Sequence, residues 1–133
     1  MRAYQITLRV VSCLIVVVAL IHITLGVGGE WLLGAQLSAA SVLDPNLDSQ
    51  NRFYGAAFVL FAAMFWYASG DVRRHQRVIE ISLGVFFLAG LARIVSILVI
   101  GWPTVEILVL TGIELLGPPL MFFWLTRLVG STS

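Results

Sequence analysis

Charge, cysteine and histidine are all scarce in this sequence, and each scarcity removes a class of protein. Only 11% of the 133 residues are charged, against roughly 25% in an ordinary soluble domain. Hydrophobic residues make up 59% of the chain, and the mean hydropathy is +0.98. A soluble fold of this size cannot hide so much apolar surface, because small domains leave much of their area in water. The single cysteine, Cys13, excludes a disulfide scaffold and a Cys-x-x-Cys redox centre. The two histidines, His22 and His75, fall on opposite sides of the membrane in the layout below and have no cysteine cluster beside them. No metal, haem or other cofactor is therefore expected. A net charge of +1 offers no basic footprint for nucleic acid. What remains is an integral membrane protein.

What the sequence has instead is long apolar runs. A membrane-crossing helix needs about 20 apolar residues in a row. Four stretches qualify: 8–27, 45–69, 78–100 and 105–128. The second is apolar from Phe53, but Asp44 is a good N-cap and Pro45 a good first residue, so its helix is expected to start there. Gly101-Trp102-Pro103 ends the third, and Pro118-Pro119 interrupts the fourth. The first apolar stretch is longer than the 7–15 residues of a signal peptide core and is read as a retained span. Short links imply antiparallel neighbours. The expectation is one all-α domain over residues 1–133, a polytopic membrane protein built as an antiparallel four-transmembrane-helix bundle. The outer loop 28–44 then forms either a short interfacial helix or an ordered surface loop. An inner loop covers 70–77 and an outer turn 101–104.

Orientation follows from arginine. Arg2, Arg9, Arg73, Arg74, Arg77 and Arg127 gather on one side, while Glu30, Asp44, Asp48 and Glu106 mark the other, with Arg52. The positive-inside rule places both termini in the cytoplasm.

Two charges lie deep in the spans. The third span carries fifteen Val, Ile, Leu and Phe residues. Their summed insertion free energy, about −7 kcal/mol, outweighs Arg93. Arg93 sits about 12 Å and Glu114 about 15 Å from the outer ends of consecutive antiparallel helices. The two are expected to pair, either to fix helix register or to form part of a site. Each span also shows a small-and-polar stripe that membrane helices use for close contact. These stripes are Ser12, Ala19, His22 and Gly26; Arg52, Gly55 or Ala56, Val59, Ala63 and Trp66; Ser82, Ala89, Arg93 and Ser96; and Thr111, Glu114 and Pro118. The reading is one outer-facing polar cavity, sealed toward the cytoplasm by Leu14, Ile15, Phe61, Phe65, Phe86, Phe122 and Phe123.

Asn51-Arg52-Phe53-Tyr54-Gly55, then Gly90-Leu91-Ala92-Arg93 with Ser96, then Gly101-Trp102-Pro103, then Glu114 follow one another in order. In that order and spacing the chain resembles the family of small bacterial four-helix integral membrane proteins known as domain of unknown function 4345. In outline it is also similar to DoxX-like proteins. The resemblance implies a four-helix membrane bundle in a bacterial inner (plasma) membrane and supplies no activity or substrate.

Three functional readings stand. The first is a non-enzymatic protein that binds a small amphiphile, lipid or anion through His22, Arg52, Tyr54, Arg93, Ser96, Glu106 and Glu114. The second is an accessory subunit with a membrane-protein partner or a second copy of itself. The third is a small proton-coupled transporter using Glu114 and His22. The lipid bilayer is a partner in all three.

Overall fold

The computed structural model describes residues 1–130, and among them the fold is all-α. Four long helices carry it: α1 (Arg2–Leu25), α3 (Pro45–Ala68), α4 (Gln76–Ile100) and α5 (Val105–Gly130). Between α1 and α3 lie a 3₁₀ segment, η1 (Gly26–Leu33), and one turn of helix, α2 (Ala39–Val42). The loop region is thus two short helical pieces. Apolar runs of this length become helices because only a helix bonds every backbone group within its own segment when no water is at hand. Asp44 caps α3 by accepting from the amides of Asn46 (2.8 Å) and Leu47 (3.4 Å), with Pro45 in the first turn.

Three helical stretches are long and apolar enough to cross a membrane: Arg2–Leu33, Gln76–Ile100 and Val105–Gly130. These make the chain a membrane protein. α3 falls short for a local reason. Any 18-residue stretch of it includes both Asn51 and Arg52, and its continuously apolar part begins only at Phe53.

The helices pair as two antiparallel hairpins. In the first, Gln5 reaches Gly70, Ser12 bonds the Ala62 carbonyl and Arg52 reaches Ile23, so α1 numbers rise as α3 numbers fall. In the second, Gly90 lies against Leu115 and Arg93 meets Glu114. Contact in both depends on glycine. A Cβ on Gly55 would stand 2.9 Å from the Ala19 carbonyl oxygen, and one on Gly90 would stand 2.9 Å from the Leu115 side chain. Between apolar helices in an apolar solvent, such close approach and cross-bonds supply the attraction that water exclusion supplies elsewhere.

The hairpins join at the base, the end that holds Met1, the 69–75 link and the last turns of α5. There Tyr4, Leu8 and Ile15 meet Ala62, Phe65, Ala68, Val72, Ile79, Leu83 and Leu125 in one core. Tyr4 also donates to the Met121 carbonyl at 3.2 Å. At the apex, the end of η1 and the 101–104 turn, the second hairpin is far less covered. No residue from Leu91 to Leu110 is buried.

The expected faces need correction. The α1 stripe is right: Ser12, Ala19, His22 and Gly26 are all buried. The α3 face is rotated by about one residue. Gly55, Ala62, Phe65 and Ala68 are buried, whereas Val59, Ala63 and Trp66 are exposed. In α4 the buried set is Ile79, Ser82, Leu83 and Gly90, while Ala89 and Ser96 face outward. Contact with α5 is made where Gly90 lets the backbones close, and Ala89 is turned away from that seam. In the seal, Ile15 and Phe65 are buried and Phe61 and Phe86 pack against the core, but Leu14, Phe122 and Phe123 are exposed. Tyr4, Leu8 and Leu125 take their place.

Candidate functional site

The apex of the first hairpin is built from the end of α1. The helix stops at Gly26, whose φ of 55° suits glycine and lets η1 turn back over α3. This close return leaves no room for a side chain, because a Cβ on Gly26 would collide with the Asp48 carboxylate. Asp48 accepts from the Val27 amide at 3.3 Å, and its other oxygen accepts from Arg52 Nε at 2.7 Å. Arg52 Nη1 then donates to the carbonyls of Ile23 and Thr24. These carbonyls are among the last of α1, at the negative end of the helix dipole. Arg52 and Asp48 therefore clamp η1 onto α3.

One residue earlier, Asn51 donates from Nδ2 to Glu30 Oε1 at 2.9 Å. The same oxygen faces His22 Nε2 at 3.4 Å. His22 is held from its other side, with Nδ1 2.8 Å from the Val18 carbonyl, and packs edge-on against Phe58. η1 thus carries Glu30 back over the buried face of α1, where histidine and asparagine from two helices receive it.

Beside Glu30 a cavity of about 200 Å³ opens between the two hairpins, lined by Glu30, Leu33, Ala35, Pro103, Thr104 and Ile107. Thr104 donates to the Leu33 carbonyl at 2.8 Å, which ties the 101–104 turn to η1 along the cavity wall. Among the described residues no group of three or more histidines, cysteines and carboxylates is placed to hold a metal ion.

The second polar pair lies on the seam between α4 and α5. Arg93 grips Glu114 with two bonds, Nε to Oε2 at 2.7 Å and Nη2 to Oε1 at 3.2 Å. The fork geometry is the strong form of a charge-assisted bond. Glu114 shares its face of α5 with Thr111 and Pro118, both buried.

The expected single cluster divides into three. His22 joins Glu30 and Asn51; Arg52 joins Asp48 and the α1 carbonyls; Arg93 joins Glu114. The physical reason is that each guanidinium finds a carboxylate on its own hairpin before it can reach the other. Tyr54 is exposed beside Phe53, and Ser96 is exposed on α4. Glu106 is exposed in the first turn of α5, near Gly34 of the apex. The arginines of the opposite side lie on basal segments. Arg9 bonds Ser69 at 3.1 Å and lies over Trp66, and Arg77 meets Glu80 at 3.6 Å. Arg2, Arg73, Arg74 and Arg127 are exposed.

Glu30 and Asn51 were not among the expected site residues. The signal was present as Gly26-Val27-Gly28-Gly29, which separates Glu30 from His22 by a stretch able to fold back, and as Asn51 directly before Arg52.

Comparison with known proteins adds one finding. A family model described as Domain of unknown function (DUF4345) matches residues 3–125, from the first turn of α1 to the last turns of α5. No curated protein and no solved structure matches.

Proposed function

The chain belongs to the DUF4345 family, and from that premise we propose that it is a non-enzymatic, four-span membrane protein that binds a small amphiphile at its apex. Both termini lie in the cytoplasm in this reading. The topology is supported by Arg2, Arg9, Arg73, Arg74, Arg77 and Arg127 on basal segments, opposed by Glu30, Asp44, Asp48 and Glu106 toward the apex. α3 serves as the fourth span through Phe53–Ala68, with Asn51 and Arg52 at the membrane boundary. A bacterial inner membrane fits that charge pattern.

The observation that carries the binding reading is the cavity between the hairpins. Its walls are mostly apolar (Leu33, Ala35, Pro103 and Ile107), with a carboxylate at one edge. At about 200 Å³ it is smaller than the ~300–1,000 Å³ of a drug-sized site. It suits the head and first carbons of a single-chain amphiphile. An anion is the less favoured ligand, because Arg52 and Arg93 are each paired with a carboxylate and neither lines the cavity.

The test is saturable binding of octylammonium, octyl sulfate and octyl glucoside to the full chain in phosphatidylcholine nanodiscs, above the partition into empty discs. At least one probe saturates. Ala35→Phe, which fills the cavity, weakens that probe about tenfold or more while the melting temperature holds. Absence of saturation for all three would sink the reading and favour the accessory-subunit one.

A further inference from the structure

We propose that the base of the bundle binds the head groups of anionic phospholipids, at the cavity between the start of α1 and the 69–75 link. The inference does not involve the apical cavity. It rests on the topology proposed above only in assigning these lipids to the cytoplasmic leaflet.

The base holds far more positive than negative charge. Segments 1–9, 69–80 and 121–130 contain six arginines (2, 9, 73, 74, 77 and 127) and two carboxylates, Asp71 and Glu80. Both carboxylates are engaged locally. Asp71 Oδ1 accepts from the Arg74 amide at 3.0 Å, while Glu80 accepts from Gln76 Nε2 at 2.7 Å and faces Arg77 at 3.6 Å. Arg2, Arg74 and Arg127 are exposed and meet no carboxylate among the described residues.

Their placement sharpens the imbalance. Arg2 opens α1 and Arg77 is the second residue of α4, yet neither helix has an acidic residue in its first turn or a side-chain cap. The positive ends of two helix dipoles therefore add to the arginine charge, where an anion would be favoured. At the apex, α3 and α5 begin with Asp48 and Glu106 instead.

A cavity of about 180 Å³ lies among these charges, lined by Met1, Gln5, Gly70, Asp71, Val72 and Arg73. Gln5 donates to the Gly70 carbonyl at 3.4 Å, which holds α1 beside the link. Asp71 is the one acid of the lining, outnumbered by Arg73 within it and by Arg2 and Arg74 next along the chain. Trp66, Tyr67 and Trp124 are exposed on the basal ends of their helices. Tryptophan and tyrosine gather at the head-group level of a bilayer, which sets the arginines at the depth of lipid phosphates. A guanidinium fork matches two phosphate oxygens at once. The acyl chains stay in the bilayer, so the cavity receives only the phosphate and the group beyond it. A zwitterionic head would bring an ammonium among the arginines, so a net negative head is preferred.

The experiment is native mass spectrometry of the full chain in neutral detergent micelles, with equal amounts of dioleoyl phosphatidylglycerol and dioleoyl phosphatidylcholine. The two lipids share their chains, so a difference reads the head group. Phosphatidylglycerol is expected to be retained about tenfold or more over phosphatidylcholine, and the preference to fade as salt is raised. Arg2→Gln, Arg73→Gln and Arg74→Gln each lower it by up to about fivefold, and together they abolish it. Equal retention of the two lipids by the wild-type chain would overturn the proposal. So would an undiminished preference in the single variants, whose exposed side chains leave the fold intact even where the triple variant does not fold. Inorganic phosphate at about tenfold excess over lipid separates the two sources of the anion. It is expected to leave phosphatidylglycerol bound, and full displacement would overturn the lipid assignment in favour of free phosphate. Micelles have no sides, so a reversed topology leaves this result standing, and a lost preference leaves the topology standing.

Discussion

Removing either partner of the Arg93–Glu114 pair should cost unequal amounts, and the inequality tests whether the pair lies in a water-poor seam. Glu114→Leu leaves a guanidinium that no accessible pH can neutralise. Stranding a charge in this way costs about 3–5 kcal/mol. The Arg93 side chain is 34% exposed, which favours the lower end of that range. Arg93→Leu leaves a carboxylate with a side chain only 14% exposed, but a carboxylate can take up a proton. What remains is a neutral polar group without a partner, worth about 1–3 kcal/mol. The double substitution removes both liabilities and should recover most of the loss, since apolar replacement of a buried pair is often neutral. Equilibrium unfolding in mixed micelles at neutral pH gives the three values. Equal single-variant costs, or a double variant whose loss is the sum of the two, would refute the reasoning.

Two further outcomes follow from the helix contacts. Gly55→Ala and Gly90→Ala place a methyl 2.9 Å from neighbouring atoms and should lower the melting temperature, whereas Gly84→Ala and Gly112→Ala meet nothing within 4 Å. The latter pair should be neutral or gain up to about 1 kcal/mol in helix propensity; a uniform response in thermal melts would remove the close-contact argument. Arg52→Ala frees the carbonyls of Ile23 and Thr24 and unlatches Asp48. Hydrogen exchange should then speed up across 26–33, with little change at the base; unchanged protection there would show that η1 does not depend on the clamp.

Much of this was legible in the sequence because the chain is so apolar. Against valine and leucine, Ser12, Ala19, His22 and Gly26 stand out, and they mark the buried face of α1. Arg93 and Glu114 could be paired by depth alone, since both lie on consecutive antiparallel helices joined by four residues. Where contrast vanished, so did the signal. α3 carries small and aromatic residues on both faces, so Gly55, Ala62 and Phe65 could not be told from Val59, Ala63 and Trp66 by pattern. α4 is apolar all round, and its seam is chosen by Gly90, whose role appears only when Leu115 stands opposite. The His22–Glu30 contact was illegible for another reason. It depends on a turn through positive φ at Gly26, and Glu30 read simply as a carboxylate marking the outer side.

The Arg93–Glu114 bond closes entirely within one hairpin, across 21 residues of chain. This bears on how the protein is made. Neither helix of the second hairpin needs the first to cancel its deep charge. The two can enter the bilayer as a preassembled neutral unit once the last of α5 has left the ribosome. Meanwhile the first hairpin, translated earlier, has the Asp48–Arg52 clamp to hold itself together. The order of synthesis thus matches the order in which each half becomes electrically complete.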